Sequence, residues 1–152
     1  MAKKIKFQFK KPEDSPGFLL AQVTILWQRK QKRVLDPLNL THTQFVLLSS
    51  LAWLSRENDS VTQVDIANLS NSDRMMVSKV LRTLEEKKFI TRHEHKTDTR
   101  AKIIKLTQEG AKVLQKALVR VEKADFDFFS AVGTNLEIFN KDMLKLIDAN
   151  MS

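Results

Sequence analysis

The chain has 152 residues, 42% of them hydrophobic, with only three glycines and three prolines; this composition suits a helical domain better than a loop-rich sandwich or a nucleotide-binding α/β enzyme. Its formal net charge of +8 favours polyanionic partners, whether phosphate backbones, anionic lipid or acidic proteins. The absence of cysteine excludes disulfides, thiolate catalysis, cysteine-rich zinc sites and thiol-based oxidant sensing, and no apolar run reaches the roughly 18 residues that a membrane span needs.

Residues 1–11 carry no apolar signal-peptide core, so a cytoplasmic protein without a membrane partner is expected. Between Lys3 and Lys11, lysines alternate with Ile5, Phe7 and Phe9, a pattern that fits a short strand or a flexible basic arm. Ser15 followed by Pro16 reads as an N-cap with proline at the first helical position. Leu20, Val23, Trp27 and Val34 then recur at helical spacing, predicting a first helix over 16–35 that stops near Pro37.

Thr41 to Gln44 reads as a capping box, and Phe45, Leu48, Leu51 and Ala52 form the stripe of a second helix ending near Asn58. Thr62 to Asp65 repeats that logic for a short third helix with Ile66 and Ala67 inward. After the polar turn Ser70, Asn71, Ser72, a fourth helix over about 73–87 puts Val77, Leu81 and Leu84 on one side. Two short helices joined by a tight polar turn make a helix-turn-helix. Residues 89–94 and 101–106 alternate as the strands of a hairpin. Thr107 caps a long helix to about Phe129, in which Leu114, Ala117, Leu118 and Val121 recur three and four apart. Gly133 and Thr134 break the pattern, and Leu136, Phe139, Met143, Leu146 and Ile147 mark a last amphipathic helix.

The fourth helix carries a second stripe, Met75, Ser78, Lys79 and Arg82, flanked by Arg74. A helix of this width fits the major groove, where Arg and Lys donate to guanine or phosphate, Ser reaches either, and Met75 and Met76 can meet a thymine methyl. On an isolated helix such charges usually only face solvent. Here a basic hairpin follows at once, presenting Lys96, Arg100 and Lys102 near its tip, where an arginine can enter the minor groove. Asp98 is expected to hold the Arg100 guanidinium, and Thr62 and Gln63 to present helix N-terminal amides to a phosphate.

Taken together, residues 40–45, 62–67, 73–85, 98–101 and 106–110 resemble, in order and spacing, the MarR family of bacterial transcriptional regulators. The resemblance covers about the middle half of the chain. It implies a mainly α winged helix-turn-helix with a small β-hairpin wing, a dimer built from the first and last two helices, and a pseudo-palindromic operator in double-stranded DNA. It also implies that Arg74 to Arg82 lie on the recognition helix and that Asp98 and Arg100 take the wing's Asp-x-Arg positions. Lys88 stands where the family usually has glycine, and Ser70 and Ser72 stand where many relatives have apolar residues. The corresponding division is 1–40 as basic arm and first dimerisation helix, 41–108 as DNA-binding lobe, and 109–152 as C-terminal dimerisation helices.

Leu20, Val23, Trp27, Leu114, Leu118, Val121, Phe139, Met143, Leu146 and Ile147 have no evident partner in so small a unit, and a two-fold dimer would bury them. Relatives of the family often bind small aromatic ligands beside the dimerisation helices, which makes Trp27, His42 and Trp53 candidate pocket residues, although aromatic side chains at helical spacing usually serve a core. No phosphate-binding loop, nucleophile elbow or zinc-protease motif is present. His93 and His95, two apart in a strand, could point the same way and bind a metal, but spacing alone does not place the carboxylates that would complete such a site, so neither metal, cofactor nor catalysis is expected. The reading is a homodimeric repressor released from its operator by an effector. The alternative is a non-catalytic winged-helix protein-interaction module.

Overall fold

The computed structural model describes residues 3–151; Met1, Ala2 and Ser152, at the outer ends of the first and third expected segments, lie outside the described residues. Residues 3–7 form no strand, and Ile5, Phe7 and Phe9 are exposed. A short 3-10 turn, Pro12–Asp14, leads into α1 (Pro16–Leu35), whose first turn is capped by Ser15 Oγ accepting from the Phe18 N–H at 3.3 Å. Proline at position 37 holds a 3-10 turn after α1, and left-handed Asn39 (φ 55°) redirects the chain.

Helix α2 (His42–Leu54) opens with the complete capping box: the Gln44 N–H donates to Thr41 Oγ1 and the Thr41 N–H donates to Gln44 Oε1. It ends at Leu54 and not near Asn58, because the next amides, Arg56 and Glu57, bond to carbonyls three residues back and unwind the last turn. Helix α3 (Gln63–Ser70) carries the second capping box, Thr62 with Asp65, and closes on left-handed Asn71 (φ 50°). The two serines of the turn satisfy themselves locally: Ser70 Oγ donates to the Ile66 carbonyl at 2.8 Å and Ser72 Oγ to the Ser70 carbonyl at 3.2 Å. Helix α4 (Arg74–Glu86) starts from the Asp73 cap.

Strands β1 (Ile90–Glu94) and β2 (Lys102–Leu106) pair antiparallel with Ile90 opposite Leu106. An addition not foreseen is Val61 and Thr62: the Ile104 N–H donates to the Val61 carbonyl at 2.8 Å, making a one-bridge third strand that clamps the entry of α3 to the hairpin. Thr107 caps α5 (Gln108–Phe129), and Gly133 (φ 65°) lets the chain turn into α6 (Leu136–Asn150).

The core is built from Leu35, Leu47, Leu48, Leu51, Ile66, Leu81, Leu84, Ile90 and Ile104, all at most 1% exposed. Leu114 and Val121 are buried in the same core and Leu118 packs on it, so these three serve the chain's own interior, contrary to their expected place in a dimer interface. Helix α5 fills its inward face against α1 and α2, which the stripe alone does not reveal. By contrast α6 has no buried residue, and the exposed apolar residues concentrate on the outer part of α1 and on α6. No helix among the described residues is long and apolar enough to cross a membrane.

Candidate nucleic-acid interface

At 100° per residue, Arg74, Met75, Ser78, Lys79 and Arg82 fall within an arc of about 140° on α4. Val77, Leu81 and Leu84, on the other side, are 0% exposed. Arg74, Lys79 and Arg82 are exposed, Ser78 is half-buried, and Met75 is 82% exposed, leaving an apolar tip among cations. Met76 falls outside this arc, beside Val80, and packs against the core; it is not an outward residue as expected.

The wing is fixed to this helix. The Arg92 guanidinium on β1 lies 3.4 Å from the Glu85 carboxylate in the last turn of α4, a partly buried pair that the sequence reading missed because its members come from two elements. The Lys88 backbone is left-handed (φ 67°), and the bonds from Lys88 N–H to the Glu85 carbonyl and from Phe89 N–H to the Leu84 carbonyl complete a Schellman cap with lysine in the glycine position. Thr107 closes the far side, donating from N–H to the Phe89 carbonyl at 3.0 Å and from Oγ1 to the Lys88 carbonyl at 2.6 Å.

Lys96, Asp98, Arg100 and Lys102 are all exposed on the hairpin. The Asp98 carboxylate accepts from the Arg100 backbone N–H at 3.1 Å and forms no ion pair with the guanidinium among the described residues. A side chain two residues before a turn reaches the backbone more readily than the tip of a long solvated chain. The expected grip on the side chain is therefore a brace on the backbone. Lys102 lies 3.8 Å from Glu94, an exposed pair. Thr62 and Gln63 sit at the start of α3, half-buried, with the Thr62 hydroxyl already accepting from the Asp65 N–H.

Of the three candidate pocket aromatics, two meet. Trp27 and His42 stand edge to face with ring centroids 4.9 Å apart. Trp27 Nε1 and Gln31 Nε2 both donate to Asp125 Oδ1 at 2.8 Å, while Gln31 Oε1, fully buried, has no partner. Burial holds the His42 imidazole below its ordinary value, against a lesser upward pull from Asp125. Trp53 does not join them: eleven residues along α2 is about 16 Å, and its exposed ring is covered by the Arg56 guanidinium at 3.5 Å. Of the expected dimer residues, Leu20, Val23, Met143, Leu146 and Ile147 are exposed, Phe139 leans on Phe129, and Trp27 is half-buried. Phe18, Leu19, Leu26, Phe126, Ile138 and Leu144 are further exposed apolar residues in α1, α5 and α6. Phe18, Phe126 and Ile138 fall off the three-four spacing of the stripes, whereas Leu19, Leu26 and Leu144 keep it and widen the apolar faces beyond the residues singled out.

The profile of the MarR family matches residues 40–102. The uncharacterized HTH-type transcriptional regulator YdcH of Bacillus subtilis is 45% identical over 124 residues, 82% of this chain and 84% of that protein. The S. aureus MepR–DNA complex superposes with a TM-score of 0.79 at 26% identity, covering 90% of this chain and 98% of that one. CouR from Rhodococcus jostii RHA1, bound to p-coumaroyl-CoA, has the same fold (TM-score 0.79, 23% identity, 95% of this chain and 99% of that one). The two capping boxes, the two-faced α4 and the braced hairpin are thus elements of a shared winged helix, and the chain belongs to the MarR family of transcriptional regulators.

Proposed function

We propose that the chain works as a cytoplasmic, non-catalytic homodimer that represses transcription by reading an inverted repeat and lets go when an effector binds. The observation that carries this reading is the division of α4: three residues at 0% exposure on one side and Arg74, Met75, Lys79 and Arg82 on the other. Arg74, Lys79 and Arg82 donate to guanine or phosphate, Ser78 bonds either, and Met75 meets a thymine methyl. Arg100 enters the minor groove, Lys96 and Lys102 meet phosphate, Asp98 braces the loop, and the α3 start at Thr62 and Gln63 takes a phosphate. The S. aureus MepR–DNA complex, which shares this fold, supports the reading.

The second copy covers the apolar surface of α1 and α6, since a 15-residue amphipathic helix with no buried residue needs a partner. Residues 1–40 and 109–152 are then the dimerising segments and 41–108 the DNA lobe. Half-sites lie about 34–36 Å apart, one turn of DNA. An effector class is suggested by CouR and its aromatic acyl-CoA. In this chain, Trp27 and His42, half-buried and edge to face, offer an aromatic wall. Release follows if that ligand binds the DNA-incompetent lobe spacing about 1–3 kcal/mol better than the competent one.

The test is selection of bound genomic fragments followed by gel shift at about 150 mM salt. Retention on an enriched inverted repeat, with changed sequence preference in Arg82→Ala or Lys79→Ala, supports the reading. Attachment only at low salt, without sequence preference, overturns it in favour of an interaction module.

A further inference from the structure

We propose that His95 is the positioning residue of the wing: its neutral ring, through an unprotonated Nδ1, holds the loop in the shape that presents Arg100, and protonating the ring releases that shape. The inference rests on the wing–DNA contact proposed above.

His95 Nδ1 accepts from the backbone N–H groups of Thr97 and Asp98, both at 3.2 Å, and lies 3.1 Å from Thr97 Oγ1. Two amide donors converging on one ring nitrogen require that it carry no proton. The remaining bonds close the loop around this hub: His95 N–H to the Ala101 carbonyl at 3.2 Å, Ala101 N–H to the Asp98 carbonyl at 3.1 Å, and Arg100 N–H to Asp98 Oδ1 at 3.1 Å. Lys96 to Arg100 are all exposed while His95 is half-buried, so the loop is shaped by these hydrogen bonds and not by apolar packing.

A proton on Nδ1 would turn the acceptor into a donor facing two donors, and both amide bonds would be lost. The charged groups around the ring are of both signs: Lys96 and Asp98 within the loop, Asp59 from the α2–α3 connection and Lys105 from β2, with the Glu94–Lys102 pair at the loop's base. The expected sign is therefore diagnostic. A histidine that merely lies near phosphates strengthens DNA binding as it charges, whereas here acidification weakens it.

Affinity for a selected duplex is to be measured at fixed ionic strength at about pH 8 and about pH 5.5, the span over which histidines charge, for the parent, His95→Asn, His95→Ala and Arg100→Ala. Asparagine can take the loop amides through Oδ1 and cannot gain a proton. The parent should lose about fivefold in affinity on acidification beyond any change shared with Arg100→Ala. His95→Asn should match the parent at pH 8 without that loss, and His95→Ala should be weak at both. Nitrogen NMR at pH 8 should find His95 Nδ1 bare and hydrogen-bonded. A protonated Nδ1 at pH 8, or identical pH profiles for the parent and His95→Asn while Arg100→Ala is weakened, overturns the proposal alone. An Arg100→Ala variant that binds like the parent removes the wing contact and this proposal with it.

Discussion

Lys87 Nζ donates to Gln44 Oε1 at 3.0 Å, and also to the Asn39 carbonyl at 2.7 Å. One ammonium at the C-terminal end of α4 is thereby fastened to the α1–α2 corner, where Gln44, 7% exposed, is already closing the α2 cap. Lys87→Met takes away both hydrogen bonds while keeping most of the chain length. Stability should fall by about 1–2 kcal/mol, read from the urea midpoint with an unchanged slope. A variant as stable as the parent contradicts the tie.

Lys88 holds a left-handed backbone that glycine adopts without strain, and its side chain is exposed. Lys88→Gly should raise stability by about 1 kcal/mol, and Lys88→Val should lower it, in the same unfolding assay. A loss on going to glycine would mean that the lysine side chain contributes more than its backbone costs.

Gly110, in the first turn of α5, faces the Phe89 backbone so closely that an added Cβ would overlap the carbonyl. That carbonyl also accepts from Thr107, so it is not free to swing away. Gly110→Ala should destabilise the chain by about 1–3 kcal/mol despite alanine's better helix propensity. A stabilised variant would contradict the packing of α5 on the entry to the wing.

His42 is held below its ordinary value of 6.5 by burial, with Asp125 pulling the other way. The unfolded chain therefore takes up this proton at a higher pH than the folded chain. The contribution to stability is fully present above about 6.5 and is lost as pH falls from there towards the lowered folded value. His42→Gln abolishes this titration, so its melting temperature should fall less than the parent's between pH 8 and pH 5. Parallel curves would contradict the assignment.

Much of this was legible because it is local. Ser15, Thr41, Thr62 and Thr107 announce their helices by side chains that reach amides three residues on, and Val77, Leu81 and Leu84 mark an inward face by spacing alone. Met76 could have been excluded by counting 100° per residue instead of grouping the two methionines. The bridge from Val61 to Ile104, the Arg92–Glu85 pair and the burial of Leu114 and Val121 depend on which elements meet, which no spacing encodes. The Asp98 brace was a matter of reach: proximity in sequence named the right partner residue but not the partner atom.

The proposed function requires two recognition helices held one DNA turn apart. It is tested most directly by titrating the chain against a selected inverted-repeat duplex and against the same duplex with about five base pairs inserted between its half-sites, half a helical turn. Two chains should bind each uninterrupted duplex, and the insertion should cost about 100-fold or more in affinity, because the second half-site turns to the opposite face. Equal affinity for the two duplexes would contradict it.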